Sequence, residues 1–217
     1  MQKSRLKSNK NSRSRILVRD DMERAFEIFA EDYKLVPLEV FHKPYEVLVS
    51  TLMSSRTNDD TTLLAAKRLF VKAPDVYSLK KLNQSQIEEL IYPVGFYKTK
   101  AVNLSKLATI IIERYGGIVP NTRAELTKLP GVGVKTANLV LVRAFHKPAI
   151  SVDTHVHRIS NLLGWVKTKT PEQTEKVLTK ILPRKYWFNV NRYLVSIGRQ
   201  YRSKQRLNEY LKERGLI

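Results

Sequence analysis

The stretch LPGVGVKTA, Leu129–Ala137, lies between two helical patterns. Upstream, Thr122 followed three residues later by Glu125 is a capping-box signature for a helix ending at Leu129. Pro130 stops that helix. Residues 122–145 therefore read helix, tight turn, helix. Gly131 and Gly133 allow dihedrals that residues with side chains resist, and they let the backbone come close to a partner. Successive N–H groups in such a turn, just ahead of a helix N-terminus, make an anion-binding cradle. The other reading is an αα-turn whose glycines serve geometry alone. A phosphate-binding Walker loop is excluded, because Val134 rather than glycine precedes Lys135. A dinucleotide fingerprint is excluded too, for want of a preceding strand and a third glycine.

Lys135 places a cation where a helix already carries positive partial charge, at a cost of about 0.3–1 kcal/mol when exposed. Contact with a phosphate would offset that cost. Alternatively, the position lowers the lysine's proton affinity and makes the amine a nucleophile. The residues alone leave both open. The second feature is SVDTHVHRI, Ser151–Ile159. Asp153 precedes a helical run, so it is an N-cap candidate worth about 1 kcal/mol. A carboxylate held by backbone amides stays ionised, and can also stabilise a sugar cation or move a proton. His155 and His157 are two apart and face different sides of a helix, so no metal site is expected there.

Working outward, the 217 residues carry 39 Lys+Arg against 20 Asp+Glu, a formal charge of +19. Such a field selects polyanionic partners, nucleic acid above all. Hydrophobic residues make up 42% of the chain, enough for a real core. The apolar runs Leu139–Val142 and Ile110–Ile112 are short and flanked by charge, so no membrane span and no secretory signal are expected. Cysteine is absent, which removes disulfides, thiol catalysis and thiolate-held metal or iron–sulfur sites together.

Residues 1–14 form a basic, acid-free segment read as a disordered tail with sequence-independent phosphate affinity. From Asp20 onward the periodicity is helical. Helices are predicted around Met22–Phe29, Tyr45–Met53 and Leu63–Phe70, from Asn83 to Tyr92, and over Lys100–Tyr115. After the hairpin they are predicted over Thr154–Leu163, Pro171–Leu182, Tyr186–Arg199 and Ser203–Arg214. No strand alternation is convincing, so the fold class is all-α.

LPGVGVKTA followed by SVDTHVHR resembles the helix-hairpin-helix DNA glycosylases, and most closely the endonuclease III family, over about Phe41 to Tyr201. The resemblance implies two helical domains with a cleft between them. One is a six-helix barrel ending with the hairpin, 37–147; the other joins 15–36 to 148–217. It implies an enzyme of base excision repair that removes damaged, chiefly oxidised, pyrimidines from duplex DNA. The strand is then cut 3′ to the abasic site by β-elimination.

By position, Lys135 matches the catalytic lysine and Asp153 the catalytic aspartate. Gly131 and Gly133 match the hairpin glycines whose amides hold phosphate, with Val132, Val134 and Thr136 in the same DNA-contacting segment. Phe96, in VGFYKTKA, matches the wedge that fills the stack when a base flips. Arg56, in LMSSRTND, falls where the bacterial form inserts a glutamine. Many members end with four cysteines holding a [4Fe–4S] cluster just after a segment like IGRQYRSK, Ile197–Lys204. This chain has none, so no cluster is expected. Arg199, Arg202, Lys204 and Arg206 then become candidate phosphate contacts or simply a solvated face. A monovalent cation ordering the hairpin carbonyls stays open.

The expected partner is double-stranded DNA carrying a damaged base or abasic site. The protein is expected to be monomeric, intracellular and DNA-associated, without membrane attachment. Two other functions compete. One is a monofunctional mismatch glycosylase of the same superfamily, against which Lys135 argues; the other is a non-catalytic helix-hairpin-helix DNA-binding module.

Overall fold

The computed structural model describes residues 20–217, and the described chain is helical without a strand. The basic tail expected over 1–14 lies outside the described residues. The chain divides into two compact units. One is Val36–Ser151; the other joins the described residues before Val36 to Val152–Ile217.

In the Val36–Ser151 unit, a 3-10 turn at Pro37–Val40 leads into α2, Pro44–Ser54 (α1 is the helix through 20–31). Helix α2 buries Tyr45 and every residue from Val47 to Met53. A helix buried all round must be central, and α2 packs against α3 (Asp59–Lys72), α6 (Tyr97–Tyr115) and α8 (Val134–Phe145). Between them lie α4 (Val76–Lys81), α5 (Gln84–Ile91) and α7 (Arg123–Leu126). Side-chain caps start most of these helices: Asn58 accepts from Asp60 N, Asp75 from Ser78 N, and Asn83 with Gln86 forms a reciprocal capping box.

Two helix limits in this unit differ from expectation, and one helix is new. Helix α6 begins at Tyr97, not Lys100, because Phe96 takes a left-handed conformation (φ 58°) and the helix starts immediately after it. Helix α7 stops at Leu126 instead of Leu129. Beyond it the amides of Lys128 and Leu129 bond to carbonyls three residues back, a tightening that brings the chain to Pro130. Helix α4 was not foreseen, although Asp75 is its cap. The Val36–Ser151 unit includes the segment that follows α8. Asn138 Nδ2 donates to Ile150 O at 2.8 Å and Ser151 Oγ donates to Lys135 O at 3.2 Å, so both tie 148–151 to α8.

The second unit contains α1, α9 (Thr154–Leu162), α10 (Pro171–Ile181), α11 (Val190–Gln200) and α12 (Lys204–Glu213). Helix α11 starts at Val190 rather than Tyr186. A 3-10 turn, Arg184–Tyr186, precedes it, and the Trp187 indole N–H donates back to Leu182 O at 3.0 Å. Phe26 of α1 stacks between Trp165 and Tyr186, with ring centroids 5.7 and 4.1 Å away. Tyr210 of α12 stacks on Tyr201 at 4.2 Å and donates to Asp32 Oδ2 at 2.8 Å. Arg214 pairs with Glu31 and Asp32.

Candidate active site

The hairpin glycines turn out to serve different purposes. Gly131 has φ +75°, and a Cβ there would lie 2.8 Å from Asn103 Nδ2 and 3.4 Å from Leu52 Cδ1. Only glycine fits. Gly133 is extended (φ −87°, ψ 177°), and a Cβ there would meet nothing within 4 Å. Its geometry demands no glycine, contrary to the expectation for both; its openness leaves the backbone approachable.

Gly133 is the N-cap of α8 and offers no side-chain acceptor. The first helical amides, Val134, Lys135 and Thr136, therefore have no intrahelical acceptor. Val132 differs from them: its side chain is buried and its amide donates to Leu129 O at 3.1 Å. Both hold the turn together. Lys135 is the second residue of α8 and is exposed.

Asp153 is the N-cap of α9, with Oδ1 accepting from Val156 N at 2.9 Å. One carboxylate oxygen thus orders the helix start. His157 bonds Thr174 Oγ1 at 2.6 Å within a polar cluster with Asn161 and Thr168. Among the described residues no group of three His, Cys, Asp or Glu is arranged to hold a metal.

Arg56 and Phe96 come together. The Arg56 guanidinium carbon lies 5.3 Å from the Phe96 ring centroid. Both residues have positive φ, 54° and 58°, and Phe96 is 61% exposed. The turns carrying them are pressed back to back, because a Cβ on Gly95 would lie 2.7 Å from Arg56 O. With Leu52, Ser55, Thr99, Lys100, Asn103 and Gly131 they line one groove that reaches the hairpin.

Lys100 was missed at the sequence level. It is 6% exposed, and its Nζ donates to Met53 O at 2.7 Å, Ser55 O at 2.5 Å and Thr57 Oγ1 at 3.2 Å. Burial lowers its pKa to about 8. A signal was available: 100, 104, 107, 108 and 111 form one helical stripe, and all but Lys100 are apolar.

Arg202, just ahead of α12, and Lys204 and Arg206, in its first turn, are exposed, and Arg199 is half-buried. The residues after Ile197 do not fit an iron–sulfur cluster. No cysteine exists to ligate one, and the segment is a helix packed through Leu207, Tyr210 and Leu211. No helix among the described residues is long and apolar enough to cross a membrane.

The helical fold with its glycine hairpin is that of a helix-hairpin-helix protein. The chain belongs to the HhH-GPD superfamily of base excision DNA repair proteins, whose family model matches residues 49–184. It is 49% identical over 157 residues to endonuclease III of Thermotoga maritima, covering 72% of this chain and 74% of that protein. It is 43% identical over 159 residues to endonuclease III-like protein 1 of Bos taurus, covering 72% of this chain and 52% of that longer relative. Its structure resembles that of a trapped endonuclease III–DNA covalent intermediate, an estranged-adenine complex. The TM-score is 0.79 at 34% identity, over 88% of this chain and 89% of the other.

Proposed function

We propose that this chain is a bifunctional DNA N-glycosylase and abasic-site lyase of the endonuclease III type, acting on damaged, chiefly oxidised, pyrimidines in duplex DNA. The observation that carries the reading is Lys135: an exposed amine on the first turn of a helix with no side-chain cap, directly after the glycine turn. The family, the endonuclease III relatives and the +19 charge support it.

The amides of Val134, Lys135 and Thr136, with the open backbone at Gly133, receive a DNA phosphate. The damaged nucleotide must leave the stack, at a cost of a few kcal/mol. Phe96 and Arg56 enter the space and offset part of it. Lys135 Nζ, as the neutral amine, attacks C1′, and the N-glycosidic bond breaks with its electron pair going to the base. The Asp153 carboxylate stabilises the developing sugar cation and relays protons. The sugar opens to a Schiff base on Lys135. Loss of the C2′ proton then expels the 3′ phosphate, and water hydrolyses the imine to free the lysine. Every step is a displacement, an addition, an elimination or a proton transfer, with no net oxidation or reduction.

In this reading the C-terminal region works without a cluster. Helix α12 is anchored instead by the Tyr201–Tyr210 stack and the Tyr210 and Arg214 contacts to Glu31 and Asp32. The purified protein is then iron-free and active, which metal analysis beside a cleavage assay checks. The enzyme acts as a monomer, inside the cell, on DNA.

The deciding experiment is borohydride trapping on a duplex with an abasic site. The protein becomes covalently attached to DNA, and Lys135→Gln abolishes the adduct. An adduct that persists in the variant removes Lys135 from the role. A monofunctional glycosylase would give no adduct with either protein.

A further inference from the structure

Two residues with side chains, Arg56 and Phe96, sit in left-handed backbone conformations on separate turns. Residues adopt such conformations only where the surroundings impose them. Lys100 touches both turns. Its ammonium bonds the carbonyls of Met53 and Ser55, at the C-terminal end of α2 where helical carbonyls lack partners. Its third contact is Thr57 Oγ1, on the far side of Arg56 from Ser55. That same hydroxyl accepts from Gly95 N at 3.0 Å, and the amide of Lys100 donates to Phe96 O at 3.0 Å.

We infer that Lys100 is a positioning residue for the DNA-inserting pair: its buried side chain ties the turn carrying Arg56 to the turn carrying Phe96, so that the two enter the opened base stack as one unit. This rests on the reading of Arg56 and Phe96 as stack-filling residues given above. A lysine that only capped α2 needs its two carbonyls and can do so from the surface. Here the charge is buried, and burial disfavours it, as the pKa of about 8 reflects. The third bond, through Thr57 to Gly95, is what a cap does not require.

The test separates substrates that need the pair from those that do not. A duplex with one abasic site leaves an orphaned base and a gap to fill; the same abasic strand alone has neither. Single-turnover strand cleavage is measured on both with the full chain. Lys100→Met keeps the apolar stem and removes the donors. It is expected to lose roughly tenfold or more on the duplex, the rate equivalent of one broken buried hydrogen bond, with cleavage of the single strand unchanged. Thr57→Val breaks the link to Gly95 while leaving the lysine, and is expected to show the same duplex-selective loss; it decides the matter if Lys100→Met does not fold. Phe96→Ala and Arg56→Ala serve as references. If they lose duplex cleavage and Thr57→Val and folded Lys100→Met do not, or lose both substrates equally, the inference is overturned and the parent reading stands. If the two references lose nothing on the duplex, the parent reading of the pair fails.

Discussion

Gly198 of α11 lies so close to His155 of α9 that a Cβ at 198 would fall 2.2 Å from the ring Nδ1 and 3.0 Å from the His155 Cβ. The obstacle includes the root of the side chain, so rotating the ring does not clear it. Helix α9 begins directly after its cap Asp153, and this contact fixes how closely its first turn packs on α11.

Gly198→Ala is therefore expected to destabilise the protein by about 1–3 kcal/mol, the range for overpacking a filled site. Urea denaturation at neutral pH reads this directly. A variant as stable as the parent would mean that α9 and α11 part without cost.

The hairpin glycines offer an internal contrast. Gly131→Ala meets both a positive φ and Asn103, and is expected to cost about 1–2 kcal/mol or more. Gly133→Ala meets neither, so its thermal midpoint should stay near that of the parent. Its duplex affinity should nevertheless fall, because the methyl group occupies the space through which a phosphate approaches. Paired melting and binding measurements check both; equal destabilisation would contradict the assigned geometry.

Asp153→Asn separates the cap from the chemistry. Asparagine caps about as well as aspartate, so the α9 terminus and the fold should survive. Turnover should drop by roughly 10²–10⁴-fold if the carboxylate acts as an acid–base group. Single-turnover rates at the parent level would leave Asp153 as a cap and nothing more.

Lys100 gives a stability change with a definite sign in alkaline solution. Its pKa in the folded protein is lowered to about 8 from the ordinary lysine value of 10.5. Between these values the unfolded chain binds more protons than the folded one, so the contribution of Lys100 to stability rises with pH, by at most about 1.4 kcal/mol per unit. Below pH 8 the full cost of burying the charge is present. The stability of the parent relative to Lys100→Met should accordingly increase from pH 8 to pH 10. A flat difference over that window would show that the carbonyl bonds hold the ammonium at its ordinary pKa, and a declining one that they raise it.

Much of the helical content was legible because caps and periodicity are local. Asn83 with Gln86 marks the start of α5, and Thr170 with Pro171 marks the start of α10, whatever the rest of the chain does. The segments that were misjudged depend on bonds the periodicity does not carry. Helix α6 gains three residues because Phe96 is forced left-handed, and α11 loses four because Trp187 bonds back to Leu182.

The sequence by itself determined the all-helical class, the glycine hairpin with Lys135 behind it, and the capping position of Asp153. These follow from residue type and spacing within a few positions of each other. It also determined the absence of any thiolate ligand, since composition alone decides that. Packing between distant segments settles that Gly131 presses on Asn103 while Gly133 is open, that Arg56 lies on Phe96, and that Lys100 is buried between their turns. The physical reason is distance along the chain. Residues 53–57 and 95–100 are about forty positions apart, and no local rule states which carbonyls a buried ammonium will find until α2 and α6 have packed.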